Sequence, residues 1–237
     1  MNATRIDPRP SVIGDRLARV KRVIAVTGWK GGIGKSVTAS TLALLLAQKG
    51  YGTGLADLDF CGASAHVALG ADGAYPEEEM GLLPPEVSGV RFMSVSFFSS
   101  GRAVPLRGAD ISGAVVEMLA VTLWGDLDFL VVDMPPGIND TALDAIRLLP
   151  KAEVLAVTTP SVMARSVLER SLELYRRLGV PLLGVVENMR GRSGRAASSP
   201  GVRFDDGLEK ALGRPADLLN TAFARDLEKA VLPLLKA

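Results

Sequence analysis

The sequence predicts an α/β fold: a single domain with a mostly parallel sheet flanked by helices. Three observations carry this. Short runs of Val, Leu and Ile recur without polar alternation, the pattern of strands buried on both faces. These runs alternate with helix-length segments, the order of a layered α/β domain. The 237 residues hold no internal repeat and no linker-like break, and they suffice for one sizeable core.

In chain order, residues 1–21 are polar and proline-bearing, read as an N-terminal arm with a short helix ahead of a domain over 22–237. VIAVTG (23–28) is a buried strand. KSVTASTLALLLAQKG (35–50) is a helix stopped by Gly50, because glycine accepts the left-handed conformation that closes a helix. GTGLADLDF (52–60) is a second strand, and 70–88, rich in Gly, Pro and Glu, is an exposed excursion. VRFMSVS (90–96) is a third strand, DISGAVVEMLAVTLW (110–124) a helix, and LDFLVVDMPPG (127–137) a strand entering a turn. AEVLAVTTP (152–160) and VPLLGVVENM (180–189) are strands around a helix over 161–179. RGRSGRAASSPG (190–201) is a basic loop, and the ending FARDLEKAVLPLLKA (223–237) is a docked helix.

Composition narrows the function classes. With 27 basic and 26 acidic residues the net charge is +1, so no field of one sign draws the chain to nucleic acid or acidic lipid. No apolar run approaches the ~20 residues that span a bilayer. The N-terminus lacks the apolar core of a signal peptide. The single cysteine, Cys61, excludes an intrachain disulfide. The cytoplasm is the expected compartment, with neither nucleic acid nor membrane as a partner.

The chemistry concentrates after the first strand, in WKGGIGKS (29–36). Glycines permit positive φ and close backbone approach, so such a loop can wrap phosphates while the next helix presents its N-terminus. Lys35 would reach the β- and γ-phosphates of ATP and the Ser36 hydroxyl would bind Mg²⁺. The expected nucleotide contacts are Trp29, Lys30, Gly31, Gly32, Ile33, Gly34, Lys35, Ser36 and Val37. Trp29 occupies the place of the standard pattern's first glycine, and Lys30 is an additional lysine.

Carboxylates close the constellation. Asp57 and Asp59 end the second strand, at the sheet edge where open α/β folds bind ligands. One of the two can orient attacking water and the other can hold Mg²⁺ through water. Asp133 ends a hydrophobic strand, where a carboxylate needs a partner; Mg²⁺-bound water or the Ser36 hydroxyl would supply one. The catalytic set is therefore Lys30, Asp57, Asp59 and Asp133, and the metal set is Ser36, Asp59 and Asp133. Asn188 has the donor and acceptor to read a base edge.

The form KGGxGK[ST] resembles the deviant phosphate loop of MinD/ParA/ArsA-like ATPases, with Lys30 at their signature lysine. That resemblance implies that Lys30 reaches the partner subunit's nucleotide in a face-to-face homodimer. DLDFCGASAHVALG, RFMSVSFF, PLRGAD, DFLVVDMPPGIND and AVTTPSVMARSVLERSLELYRRLGVPLLGVVENM follow in the order found in the Mrp/Nbp-type ATPases, over about 22–212. The resemblance implies a Rossmann-like P-loop NTPase fold, a homodimer and a role in iron–sulfur cluster assembly or delivery.

One departure matters. Where that family carries a Cys-x-x-Cys pair holding a bridging 4Fe–4S cluster, this chain has VENMRGRSGRAASSPG, with Arg190, Arg192 and Arg195 and no cysteine. The expectation is a slow, partner-stimulated, Mg-ATP-binding ATPase. It would serve metallocluster maturation through a protein client, itself an iron–sulfur or metalloprotein, without carrying the bridging cluster. The alternatives are a MinD/ParA-like positioning ATPase and a nucleotide-gated scaffold that does not hydrolyse. A small-molecule kinase lacks an acceptor site.

Overall fold

The structure, a computed structural model, describes residues 7–60, 62–99, 108–137, 139–191 and 201–236. Its strands are β1 (Val20–Gly28), β2 (Thr53–Asp57), β3 (Glu77–Glu79), β4 (Gly81–Leu83), β5 (Glu86–Val87), β6 (Val90–Ser94), β7 (Leu127–Asp133), β8 (Ala152–Thr158), β9 (Leu182–Arg190) and β10 (Gly201–Arg203). Its helices are α1 (Arg9–Leu17), α2 (Lys35–Gln48), α3 (Ala65–Leu69), α4 (Ser96–Ser99), α5 (Gly108–Val121), α6 (Asp140–Leu148), α7 (Val162–Arg177), α8 (Leu208–Ala211), α9 (Pro215–Leu219) and α10 (Ala222–Val231).

Among the described residues the main sheet runs β10-β9-β8-β1-β7-β2-β6-β5, and all its pairings are parallel except β5 with β6. β3 and β4 form a separate antiparallel pair, so the excursion over 70–88 contains a small hairpin. After β1 the chain lays β2, β5 and β6 on one side, returns to insert β7 between β1 and β2, and then crosses to β8 on the other side of β1. That reversal at β1 is a topological switch point, where the carboxyl ends of the strands leave a crevice.

Strand alternation divides the core into two layers. Ile24, Val26, Leu55, Val131 and Leu155 pack toward α2 and α10. Val23, Ala25, Ala56, Val132 and Val154 pack toward α1, α5 and α7. Helix α2 is buried continuously from Thr38 to Leu46, which explains a sequence apolar on nearly every side. Its end is a Schellman closure: the Gly50 N–H donates to Ala47 O at 2.9 Å and the Tyr51 N–H to Leu46 O at 3.2 Å, with Gly50 at φ 85°.

The segment read as an arm contains a docked helix. Ile13 and Leu17 of α1 are buried in the second layer, and β1 begins at Val20, two residues before the expected domain start.

Candidate functional site

Thr27 ends the straight part of β1, and Gly28 lets the chain turn. A Cβ at Gly28 would sit 2.4 Å from Ile33 Cδ1, so glycine there allows Ile33 to fold back over the strand end. Gly32 and Gly34 adopt φ of 76° and 85°, which side chains rarely tolerate. Gly31 instead has open space where its Cβ would be. The loop leads directly into α2, where the Thr38 N–H and hydroxyl both donate to Gly34 O.

The loop borders a cavity of about 620 Å³ lined by Lys30 through Val37, Asp59, Pro136 and Asn188. Its far wall was not among the sequence candidates: Phe204, Leu208, Leu212 and Phe223, with Arg203, Asp205 and Asp206. Phe204 is tied to the end of β9 by its N–H, which donates to Arg190 O at 2.9 Å. The Asp205 carboxylate accepts N–H groups from Gly207 and Phe223, fixing the start of α8 against α10. Phe204, Leu208 and Leu212 had only weak sequence signals, because they reach the loop through the edge strand β10.

Beneath the loop the charges converge. Lys35 Nζ donates to Asp133 Oδ1 at 2.6 Å and lies 3.4 Å from Asp59 Oδ2, all three side chains being buried. The nearby Ser36 hydroxyl also favours the charged form of the Asp133 carboxylate. Burial nevertheless outweighs these favourable neighbours and holds the Asp133 carboxyl above its ordinary pKa. Asp133 Oδ2 is buried without a hydrogen-bond partner. An orphaned carboxylate oxygen beside a serine hydroxyl fits a divalent cation. Among the described residues no cluster of three His, Cys, Asp or Glu could hold a metal, so phosphate oxygens and water would complete its coordination. Ser36, Asp59 and Asp133 are the residues that would hold Mg²⁺, whose chemistry there is to neutralise charge on phosphate oxygens.

Three sequence expectations change. Asp57 does not border the cavity: it is fully buried, and its carboxylate accepts the N–H groups of Asp59 and Ala65. Burial first, and then the charge of Asp133, push its carboxyl up to about 7. Trp29 does not border the cavity either. Strand alternation sends it to the α7 side of the sheet, where its ring packs on the second core layer. Asn188 borders the cavity, yet it is largely engaged with the protein. Its Nδ2 donates to Ile33 O at 2.9 Å and its Oδ1 accepts the Met189 N–H at 2.7 Å. Asn188 therefore braces the loop, with one amide hydrogen and one lone pair left over for a base.

Lys30 stands exposed at the cavity mouth, and among the described residues it makes no ion pair. Arg190 is partly buried, pairs with Glu187 at 3.2 Å and covers Gly201. Cys61, Arg192 and Arg195 lie outside the described residues.

The chain is similar to known proteins. A family model described as ParA, NUBPL iron-transfer P-loop NTPase, matches residues 19–218. An iron–sulfur cluster carrier protein of Pseudomonas fragi is 41% identical over 177 residues, 73% of this chain and 62% of that protein. The iron–sulfur cluster carrier protein of Escherichia coli K12 is 38% identical over 78% of this chain and 50% of its own. The chain thus spans between half and about three-fifths of these relatives. Among solved structures, a nucleotide-binding protein from Archaeoglobus fulgidus, in complex with ADP and with cobalt, is similar at a TM-score of 0.70 and 26% identity over 93% of each chain. The cell division ATPase MinD of Pyrococcus furiosus is similar at a TM-score of 0.66 and 19% identity, over 89% of this chain and 99% of that one, a likeness of fold alone.

Proposed function

The chain belongs to the ParA/NUBPL family of iron-transfer P-loop NTPases, and from that premise we propose that it is a Mg-ATP-dependent ATPase that dimerises around nucleotide and serves iron–sulfur cluster assembly. One observation carries the nucleotide half: Lys35, Asp133 and Asp59 converge under a positive-φ glycine loop, with Ser36 and the unpartnered Asp133 Oδ2 beside them.

In this reading Lys35 exchanges its two carboxylates for the β- and γ-phosphates. Ser36, Asp59 and Asp133 then face the cation, directly or through water. Asn188 keeps the loop in shape. The apolar wall of Phe204, Leu208 and Leu212 receives the base, whose stacking needs no charge. Lys30, exposed at the mouth, serves the nucleotide of a second copy in this reading, adding positive charge where the transferred phosphoryl group becomes negative.

A single cysteine per chain gives no set of four thiolates, even in a homodimer, so the contribution to cluster assembly is control of a client by nucleotide state. The positioning ATPases share the fold at 19% identity or less, whereas the cluster carriers share 35–41% identity, which favours the iron–sulfur reading. Among the described residues no helix is long and apolar enough to cross a membrane.

Titration calorimetry with Mg-ATP and Mg-ADP tests the nucleotide half, and binding of neither removes it. Anaerobic transfer of a 4Fe–4S cluster from a donor scaffold to an apo-acceptor tests the other half. A transfer rate indifferent to this protein, with either nucleotide, sets the iron–sulfur role aside.

A further inference from the structure

Asp57 lies one strand away from the reacting region, and its carboxylate spans a loop. Oδ1 accepts the Asp59 N–H at 3.1 Å, where the loop leaves β2. Oδ2 accepts the Ala65 N–H at 3.2 Å, where the loop enters α3, and the Ser94 hydroxyl at 3.4 Å. Ser64, the N-cap of α3, makes no side-chain cap bond, so Asp57 supplies that acceptor from the strand. Both ends of one loop are thus fastened to one side chain.

The backbone that carries it is held in the sheet. Asp57 is in register with Asp133 on β7 and with Ser94 on β6, and the Leu58 N–H continues the ladder to Asp133 O at 2.9 Å. Between the two fastenings Asp59 turns back. Its Oδ1 accepts the Gly62 N–H at 3.0 Å, and its Oδ2 faces Lys35 at 3.4 Å. The direction of Asp59 depends on where the loop is anchored, because its backbone N–H is one of the two anchors. Two oxygens on one short side chain are what the task requires: a hydroxyl or an amide at this position offers only one acceptor atom.

We propose that Asp57 is a positioning residue, a latch that fastens the Asp59 and Ala65 amides to the end of β2 and so sets Asp59 against Lys35, and that it does not act on attacking water. The consequence for turnover rests on the ATPase reading above; the latch does not.

Amide hydrogen exchange on nucleotide-free protein tests the latch directly. In Asp57→Asn, which keeps one acceptor oxygen, at least one of the Asp59 and Ala65 amides should exchange on the order of 10-fold faster, the worth of about one net hydrogen bond. Ser94→Ala should speed Ala65 alone, by less. Asp59→Asn, which keeps the acceptor at Asp57, should leave the Ala65 amide protected. With Mg-ATP, Asp57→Asn should lower kcat while leaving KM close to wild type.

Unchanged exchange at both amides in Asp57→Asn overturns the proposal. So does a loss of kcat with both amides still protected, since that is the signature of direct action on the reaction. Should Asp57→Asn fail to fold, Ser94→Ala decides through Ala65: unchanged exchange there counts against the latch. Faster exchange in a protein that turns over no ATP supports the latch and refutes the ATPase reading instead.

Discussion

The Lys35 ammonium stands 2.6 Å from Asp133 Oδ1, with Asp133 fully buried at the end of β7 and Lys35 at the first position of α2. The contact closes a gap of 98 residues and joins the phosphate loop to the strand beside it. One cation there faces two carboxylates, and Asp57 adds a third next to Asp133 in the sheet register.

Lys35→Ala should therefore cost stability as well as nucleotide affinity. Removing one member of a buried ion pair leaves the other uncompensated, at about 3–5 kcal/mol. Denaturant unfolding without nucleotide measures it, and Asp133→Asn in the same chain should recover part of the loss. Calorimetry should show Mg-ATP binding largely abolished. Wild-type stability in Lys35→Ala would mean that the pair contributes nothing.

Stability should fall with rising pH through Asp57. Its folded carboxyl titrates at about 7, raised chiefly by burial, against about 3.9 for aspartate in an unfolded chain. Between about pH 4 and 7 the folded protein keeps a proton that the unfolded chain has released, so each step upward favours unfolding, and the penalty is complete above the folded value. Asp133, raised in the same direction, adds to the slope. Asp57→Asn removes its share. Relative to wild type it should gain stability, by a few kcal/mol at the most, as pH rises from 4 to 8. Parallel stability curves would show that Asp57 does not titrate in this window.

Asp133→Asn should reduce turnover far more than ATP affinity, and should raise the Mg²⁺ concentration needed for half-maximal turnover. In the proposed reading the carboxylate oxygen it removes faces the cation rather than phosphate. Turnover equal to wild type at saturating Mg-ATP would take Asp133 out of the metal set.

Lys30→Ala should bind Mg-ATP nearly normally yet lose hydrolysis and ATP-dependent dimerisation. Mixing it with Lys35→Ala should restore some activity, because one site of the mixed dimer keeps both lysines. No rescue, together with an unchanged monomer–dimer equilibrium, would show that Lys30 acts within its own subunit or not at all.

Anaerobic reconstitution with iron and sulfide should leave no stoichiometric 4Fe–4S cluster, since a homodimer supplies two copies of Cys61 and a conventional cluster takes four thiolates. Iron and sulfide analysis with the visible spectrum checks this. A stable brown dimer with close to four irons, lost on Cys61→Ser, would overturn it.

What the sequence determined by itself was local. The apolar runs that became β1, β2, β6, β7 and β8 are legible because strands buried on both faces need no alternation, and β9 is legible by its run of apolar residues although its first half is only partly buried. Gly50 announced the end of α2, and the spacing of KGGIGKS announced the loop, since positive φ at Gly32 and Gly34 is a demand on residue type. Helix α6 is not among the predicted elements, although its Asn139 side chain accepts the Ala142 N–H at 2.9 Å, as an N-cap does.

Tertiary structure decided which way the side chains serve. Asp57 and Asp59 look equivalent in LADLD, yet the strand holds Asp57 in the sheet, where backbone amides claim it, and the turn releases Asp59 toward Lys35. Trp29 sits within the phosphate-loop motif, but alternation along β1 sends its ring to the opposite face of the sheet. Phe204, Leu208 and Leu212 reach the cavity only because β10 pairs with β9 and draws a distant segment beside the loop. Residue type and spacing fix backbone conformation within a few positions; the direction of a side chain, and hence its partner, is fixed by neighbours that the order of strands in the sheet brings together.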